Sequence, residues 1–193
     1  MSKGQLRDRN YILVDTETTG FDEKKHQLLQ VGILVIKNME VVDTLSVNIK
    51  HREYTLTTGA MKANGIDLLK HEEQAYTDKE AGDMILQFLA KHKGENEDEY
   101  IVIGQNVQFD IRFLEEFFLK IFKIKEYRQL VSYRSLDIMQ VAMTKHLEGK
   151  LDLESQSLDA IVEALGMGQI EDRHQALPDA LLEFEVLKKL LNL

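Results

Sequence analysis

The sequence contains no cysteine, no tryptophan and a single proline, and it has no cationic excess. Each shortage excludes something. Without cysteine there are no disulfides and no thiolate metal sites. A bound metal would need oxygen or imidazole ligands, which favours Mg²⁺ or Mn²⁺. No apolar run approaches the roughly 20 residues that a membrane helix needs, so no membrane partner is expected. Residues Met1 to Asn10 are polar and lack the apolar core of a signal peptide, which makes a cytoplasmic location the expectation. With 33 acidic against 24 basic residues and a formal net charge of −9, the chain does not suit coating nucleic acid through a broad basic face. It still suits an enzyme acting on one strand end, because carboxylates gathered around cations make the bare chain acidic. Linkers rich in Pro, Gly or Ser are also missing, as are internal repeats. The 193 residues therefore read as a single domain, 1–193, with its patterned part between residues 11 and 191.

What is present divides into two halves. The first reads as strands. Tyr11 to Val14 is a short apolar run suited to a strand covered on both faces, and Leu28 to Ile36 is a longer one. Lys37 to Glu40 reads as a turn. Val41 to Ile49 then alternates, with Leu45, Val47 and Ile49 on one face and Thr44, Ser46 and Asn48 on the other. Short connections between the three imply an antiparallel meander. The second half alternates helix and strand. Thr77-Asp78-Lys79-Glu80 has the capping-box pattern, and Ala81, Met84, Ile85, Phe88 and Leu89 follow at helical spacing. Tyr100 to Ile103 reads as a strand stopped by Gly104, and Leu114, Phe117, Phe118 and Ile121 as the next helix. Tyr133 to Leu136 is a short strand with a helix after it. Leu158, Ile161, Val162 and Leu165 form a helix face that Gly166 can cap, and Leu177 to Leu191 carries the last helix. The expectation is an α/β fold: a mixed five-stranded sheet, three strands antiparallel and then parallel ones, flanked by helices.

Three segments carry chemistry. In Asp15-Thr16-Glu17-Thr18-Thr19-Gly20 a buried strand runs into two acids one residue apart. Side chains at i and i+2 share a strand face, so Asp15 and Glu17 converge at the carboxyl end of the strand, where open α/β sheets place ligands. Two carboxylates held together repel, and a divalent cation resolves the repulsion. The plainer alternative is a strand-ending Asp15 beside a solvated Glu17. In Gln105 to Asp110 a second strand ends and a helix begins. Asp110 is either a first-turn acid favoured by the helix dipole or a further ligand at the same sheet edge, and Asn106 needs a partner such as a sugar hydroxyl or a backbone loop. In His174-Gln175-Ala176-Leu177-Pro178-Asp179 the proline suits a first helical turn. Asp179 falls in that turn, and His174 lies in the loop ahead, either as a surface histidine or as a general base working near neutral pH.

In this order and with these neighbours, the segments resemble the DnaQ-like 3′→5′ exonucleases of the DEDDh type, the family that includes the proofreading epsilon subunit of bacterial DNA polymerase III. Asp15 to Gly20 is similar to the first motif, Asn106 to Asp110 followed by Ile111-Arg112-Phe113-Leu114 to the second, and His174, Ala176 and Asp179 to the third. Ser157-Leu158-Asp159 resembles the segment opening the helix before the third motif, and Asn64-Gly65-Ile66 a segment that approaches the 3′-terminal nucleotide. The resemblance implies an RNase H-like fold and two bound Mg²⁺ or Mn²⁺ ions. It gives Asp15, Glu17, Asp110 and Asp179 the metal-binding positions and His174 the general base. It sets Thr18, Asn64, Ile66, Asn106 and Phe109 against the terminal nucleotides. Three residues depart from the usual pattern: Asn64 and Gln105 stand where histidine is common, and Pro178 precedes Asp179.

The chemistry implied is hydrolysis from a free 3′ end, releasing nucleoside 5′-monophosphates. Two cations about 3.5–4 Å apart can flank a scissile phosphate. Asp15 is expected to bridge them, Glu17 and Asp179 to serve the water side and Asp110 the leaving-group side, while His174 takes a proton from the attacking water. A DNA proofreading or repair role, alone or beside a DNA polymerase subunit, is the expected setting. The alternatives are trimming of RNA 3′ ends, a non-catalytic module binding a strand end or a polymerase, and a phosphatase for small esters. The last leaves Asn64, Asn106 and Phe109 without a task.

Overall fold

Strand β1 (Tyr11–Thr18) is the centre of the structure, and both of its faces are covered. The computed structural model describes residues 9–94, 98–168 and 175–193. β2 (Leu28–Lys37) runs antiparallel to β1, pairing Asp15 with Gly32 and Glu17 with Gln30. A two-residue turn leads into β3 (Glu40–Lys50). Asn38 and Met39 both take left-handed backbone there, φ 54° and 61°, as a tight hairpin matched to strand twist demands. The expected face of β3 holds, with Val47 and Ile49 buried and Thr44 and Ser46 exposed.

Two short helices follow, α1 (Thr58–Asn64) and α2 (Leu68–Glu73), capped by Thr57 and Asp67. Sequence periodicity does not reveal them, because one or two turns are too short to show a repeat. The two-residue β4 (Tyr76–Thr77) is equally silent. It pairs parallel to the end of β3 and makes the sheet six-stranded rather than five. Helix α3 (Asp78–His92) starts on the capping box, where Thr77 and Glu80 satisfy each other's amides.

β5 (Tyr100–Gly104) then enters parallel to β1 and is buried throughout. It is followed by α4 (Gln108–Lys120), α5 (Ile124–Leu130), β6 (Val131–Asp137), α6 (Ile138–Leu147), α7 (Leu158–Ala164) and α8 (Ala176–Leu191). The sheet order is β4-β3-β2-β1-β5-β6. Gly166 ends α7 in the left-handed conformation, φ 62°, as its position after Leu165 predicts.

The alternation along β1 sorts the core into two layers. Ile12 and Val14 face α3 and α4, packing with Ile85, Leu89, Phe113 and Phe118. Leu13 faces α6 and α8, with Ile138, Ala180, Phe184 and Leu187. Parallel β1, β5 and β6 all end at one edge, so whatever follows them is delivered to the same place. No described helix is long and apolar enough to cross a membrane.

Candidate active site

Asp15 and Glu17 lie inside β1 rather than just beyond it, since the strand continues to Thr18. Both point to the α8 side of the sheet, as the two-residue period requires. What brings Asp179 to them is a glycine. At Gly32, directly across from Asp15, a Cβ would stand 2.4 Å from the backbone oxygen of Ala176. Only a residue without a side chain lets α8 begin in contact with the sheet there. Asp179 lies in the first turn of α8 and is buried. As a result, oxygen atoms of Asp15, Glu17 and Asp179 lie within 4.8 Å of one another.

Asp110 approaches from the other layer. It is 4 % exposed, so it is not a solvated helix-start acid. Thr16, pointing opposite to its two acidic neighbours, donates its hydroxyl to Asp110 Oδ1 at 2.7 Å. Asp110 is close enough to raise the pKa of Asp15, although it is not one of the three acids whose oxygens cluster.

The electrostatics call for a cation. Burial, first, and then Glu183, Asp110, Glu17 and Asp179 push the Asp15 carboxyl well above the ordinary range. Burial and then Asp179 push Glu17 up to about 7. Burial pushes Asp110 to about 7 against the opposing hydrogen bond from Thr16. Asp15 Oδ2 is buried and has no hydrogen-bond partner among the described residues. An orphaned carboxylate oxygen facing two further carboxylates matches the donor set of a hard divalent ion, so these residues fit such a metal.

Glu183 is the residue that motif reading misses. It lies one helical turn beyond Asp179, is 2 % exposed, and accepts the backbone N–H of Gln105 through Oε2 at 3.0 Å. Burial and then Asp110 raise its pKa well above the usual value. The following amide, that of Asn106, goes to Asp137 Oδ1 at 3.1 Å, and Asp137 also caps α6. The turn from β5 to α4 is thus held by a carboxylate on each side. Asn106 takes a left-handed backbone there, φ 52°, and its side chain is exposed. A signal for Glu183 does exist in the sequence: it shares the helical stripe of Ala176, Asp179, Ala180 and Leu187.

The remaining expected positions surround the acids. Thr18 is buried and donates its hydroxyl to Gly20 O at 2.7 Å. Asn64 Nδ2 donates to Thr18 O at 3.0 Å, and its Oδ1 accepts the Ile66 N–H at 3.0 Å. The polar atoms of these two residues therefore fix the loop beside the end of β1. Ile66 and Phe109 are half-buried, Phe109 leaning on Phe113 with ring centres 4.8 Å apart. Phe21, which the motifs do not single out, is 68 % exposed just after the first motif and lies against Gly59 of α1. His174 lies outside the described residues.

A family model described as Exonuclease matches residues 12–187. The chain is 28% identical over 187 residues to the PolC-type DNA polymerase III of Thermotoga maritima, a match covering 96% of this chain and 12% of that protein. It is 27% identical over 190 residues to the DNA polymerase III subunit epsilon of Aquifex aeolicus, covering 98% of this chain and 84% of that one. Among solved structures, Escherichia coli exonuclease I in complex with a dT13 oligonucleotide superposes with a TM-score of 0.80 at 16% identity, over 95% of this chain and 41% of that chain. The likeness in structure shows a shared RNase H-like exonuclease fold.

Proposed function

The chain belongs to the exonuclease family, and from that premise we propose that it hydrolyses nucleic-acid phosphodiesters from a free 3′ end with the help of two divalent cations. The observation that carries this reading is the meeting of Asp15, Glu17 and Asp179 within 4.8 Å around an unpartnered carboxylate oxygen, with Asp110 adjoining. Asp15, Glu17, Asp110 and Asp179 are the residues that would hold Mg²⁺ or Mn²⁺. When bound, such ions supply charge stabilisation to the phosphate and lower the pKa of water.

The chain's own groups do the rest. The carboxylates of Asp15, Glu17, Asp110 and Asp179 would hold the cations, whose charge would take the place of the protons that burial and mutual repulsion favour. Thr16 fixes the Asp110 carboxylate. Glu183 and Asp137 hold the turn that carries Asn106 and leads to Asp110. His174 takes the proton of the attacking water, as its place ahead of α8 in the third motif supports. The terminal nucleotide rests against Ile66, Asn106 and Phe109, with Thr18 and Asn64 shaping the wall. Phe21 offers an exposed ring on which a base can stack. The products are nucleoside 5′-monophosphates.

DNA is the favoured substrate. The relatives include DNA polymerase III chains, and exonuclease I is bound to a DNA oligonucleotide in its structure. The chain spans about 12% of the PolC-type polymerases it matches, so a polymerase partner is proposed on the same footing. Digestion of matched 5′-labelled DNA and RNA strands with Mg²⁺, Mn²⁺ or EDTA tests the reading. Stepwise shortening from the 3′ end that EDTA abolishes is expected, faster on DNA. Intact termini at every metal concentration would overturn it.

A further inference from the structure

Away from the carboxylates, a groove of about 260 Å³ opens between the outer face of α4 and the edge strand β6. Its walls include Ile111 and Glu115 from α4 and Tyr133 and Arg134 from β6, with Tyr127 and Arg128 contributed by α5. Ile111 immediately follows Asp110 in the chain. At the end nearer the acids, Gln108 Nε2 donates to Ser135 Oγ at 3.0 Å and ties the start of α4 to β6. The groove lies behind this tie, along the helix whose first turn carries Asp110. Asp137 pairs with Gly104 at the sheet edge where the carboxylates gather. Tyr133 lies four strand residues behind it, a distance of about 13 Å.

Three features of the groove point to a ligand, and to one kind. Tyr133 is 87 % exposed, an unusual state for an aromatic ring on a strand. The Arg134 guanidinium lies over that ring, 5.0 Å from its centre, so a cation and a π face are offered together. The Tyr127 hydroxyl is buried and has no hydrogen-bond partner among the described residues. A bound water would satisfy it. The acid in the wall, Glu115, is neutralised by Arg128, whose Nε and guanidinium nitrogen both reach Oε1 at 3.1 Å. Glu99, also at the groove, is solvent-exposed. On a chain of net charge −9, this groove offers an exposed aromatic paired with an arginine.

We propose that this groove carries the strand upstream of the scissile bond: a base stacks on Tyr133 while Arg134 meets a backbone phosphate. The inference rests on the exonuclease reading and adds a second contact region to it. Stacking on aromatic rings tolerates any base, so the groove confers preference for strand length and single-strandedness rather than for sequence.

The test compares wild type with Tyr133→Ala and Arg134→Gln, both at exposed positions. The kcat/KM is measured on a dinucleotide and on a longer single strand, as DNA and as RNA. The ratio of long-strand to dinucleotide kcat/KM should fall about five- to a hundredfold in Tyr133→Ala and by a smaller factor in Arg134→Gln, mostly through KM. An unchanged ratio in both variants overturns the proposal. Fluorescence anisotropy of a labelled strand in EDTA separates this outcome from failure of the exonuclease reading. If wild type hydrolyses neither substrate, the exonuclease reading fails. The groove then stands if Tyr133→Ala weakens strand binding by a similar factor, and falls if its affinity equals that of wild type.

Discussion

Glu183 Oε2 and the backbone N–H of Gln105 meet at 3.0 Å, joining α8 to the turn before α4. Glu183 is buried and Gln105 half-buried, and each belongs to a segment next to a cluster acid. Glu183→Gln keeps an acceptor and removes a charge from a crowded set of carboxyls, so the metal-free melting temperature should rise. Glu183→Ala leaves the Gln105 amide unsatisfied, a loss of about 1–3 kcal/mol. Chemical denaturation of the two variants separates the effects. Equal stabilities would show that the bond contributes nothing.

Gly32 makes a second prediction. Adding a methyl group there drives it into the Ala176 carbonyl, 2.4 Å away, so Gly32→Ala should push the start of α8 from the sheet. Overpacking of this kind costs about 1–3 kcal/mol. The displacement also carries Asp179 away from Asp15 and Glu17, so affinity for Mn²⁺ by calorimetry should drop along with stability. A destabilised variant with wild-type metal affinity would contradict the link between this glycine and the acid cluster.

His174→Ala should lower turnover by about 10²–10⁴-fold, the usual share of a general base. Metal affinity should persist in this variant. Wild-type turnover would remove His174 from the mechanism.

Acid titration of the cluster sets the fourth expectation. Glu17 and Asp110 titrate at about 7 in the folded protein, pushed there chiefly by burial. Unfolded carboxyls titrate near 4. Between these values the native state holds more protons than the unfolded one, so metal-free stability falls as pH rises through the window from about 4 to about 7. Divalent ions displace those protons. The gain in melting temperature on adding Mg²⁺ or Mn²⁺ should therefore grow from pH 5 to pH 8, with protons released on binding. Asp15→Asn should remove most of that gain. A gain independent of pH, or one retained by Asp15→Asn, would count against a carboxylate metal site.

These expectations draw on both what the sequence discloses and what it hides. The strands β1, β2, β3 and β5 and the longer helices are legible because each buries a face long enough to set a period. Asp15 and Glu17 stand out because they interrupt an apolar strand one residue apart, and Asp110 and Asp179 because each falls in the first turn of a helix. Thr16, Gly32 and Glu183 do not. Thr16 looks like a spacer between two acids, yet it bonds to a residue 94 positions away. Gly32 reads as a weak point in an apolar strand until α8 is known to cross it. Glu183 falls among leucines on a helix, and its partner is an amide that no local pattern marks. Their roles arise from pairings between distant elements, which periodicity does not encode. α1, α2, α5 and β4 were hidden for a different reason, being too brief to repeat.

The seating of α8 on Gly32 also sets when the acid cluster is complete. Three of the four acids precede residue 111, but the fourth arrives only with the last helix. During synthesis, a nascent chain lacking α8 presents Asp15 and Glu17 on β1 without Asp179 beside them, so on the proposed mechanism the acid cluster is completed only when α8 docks.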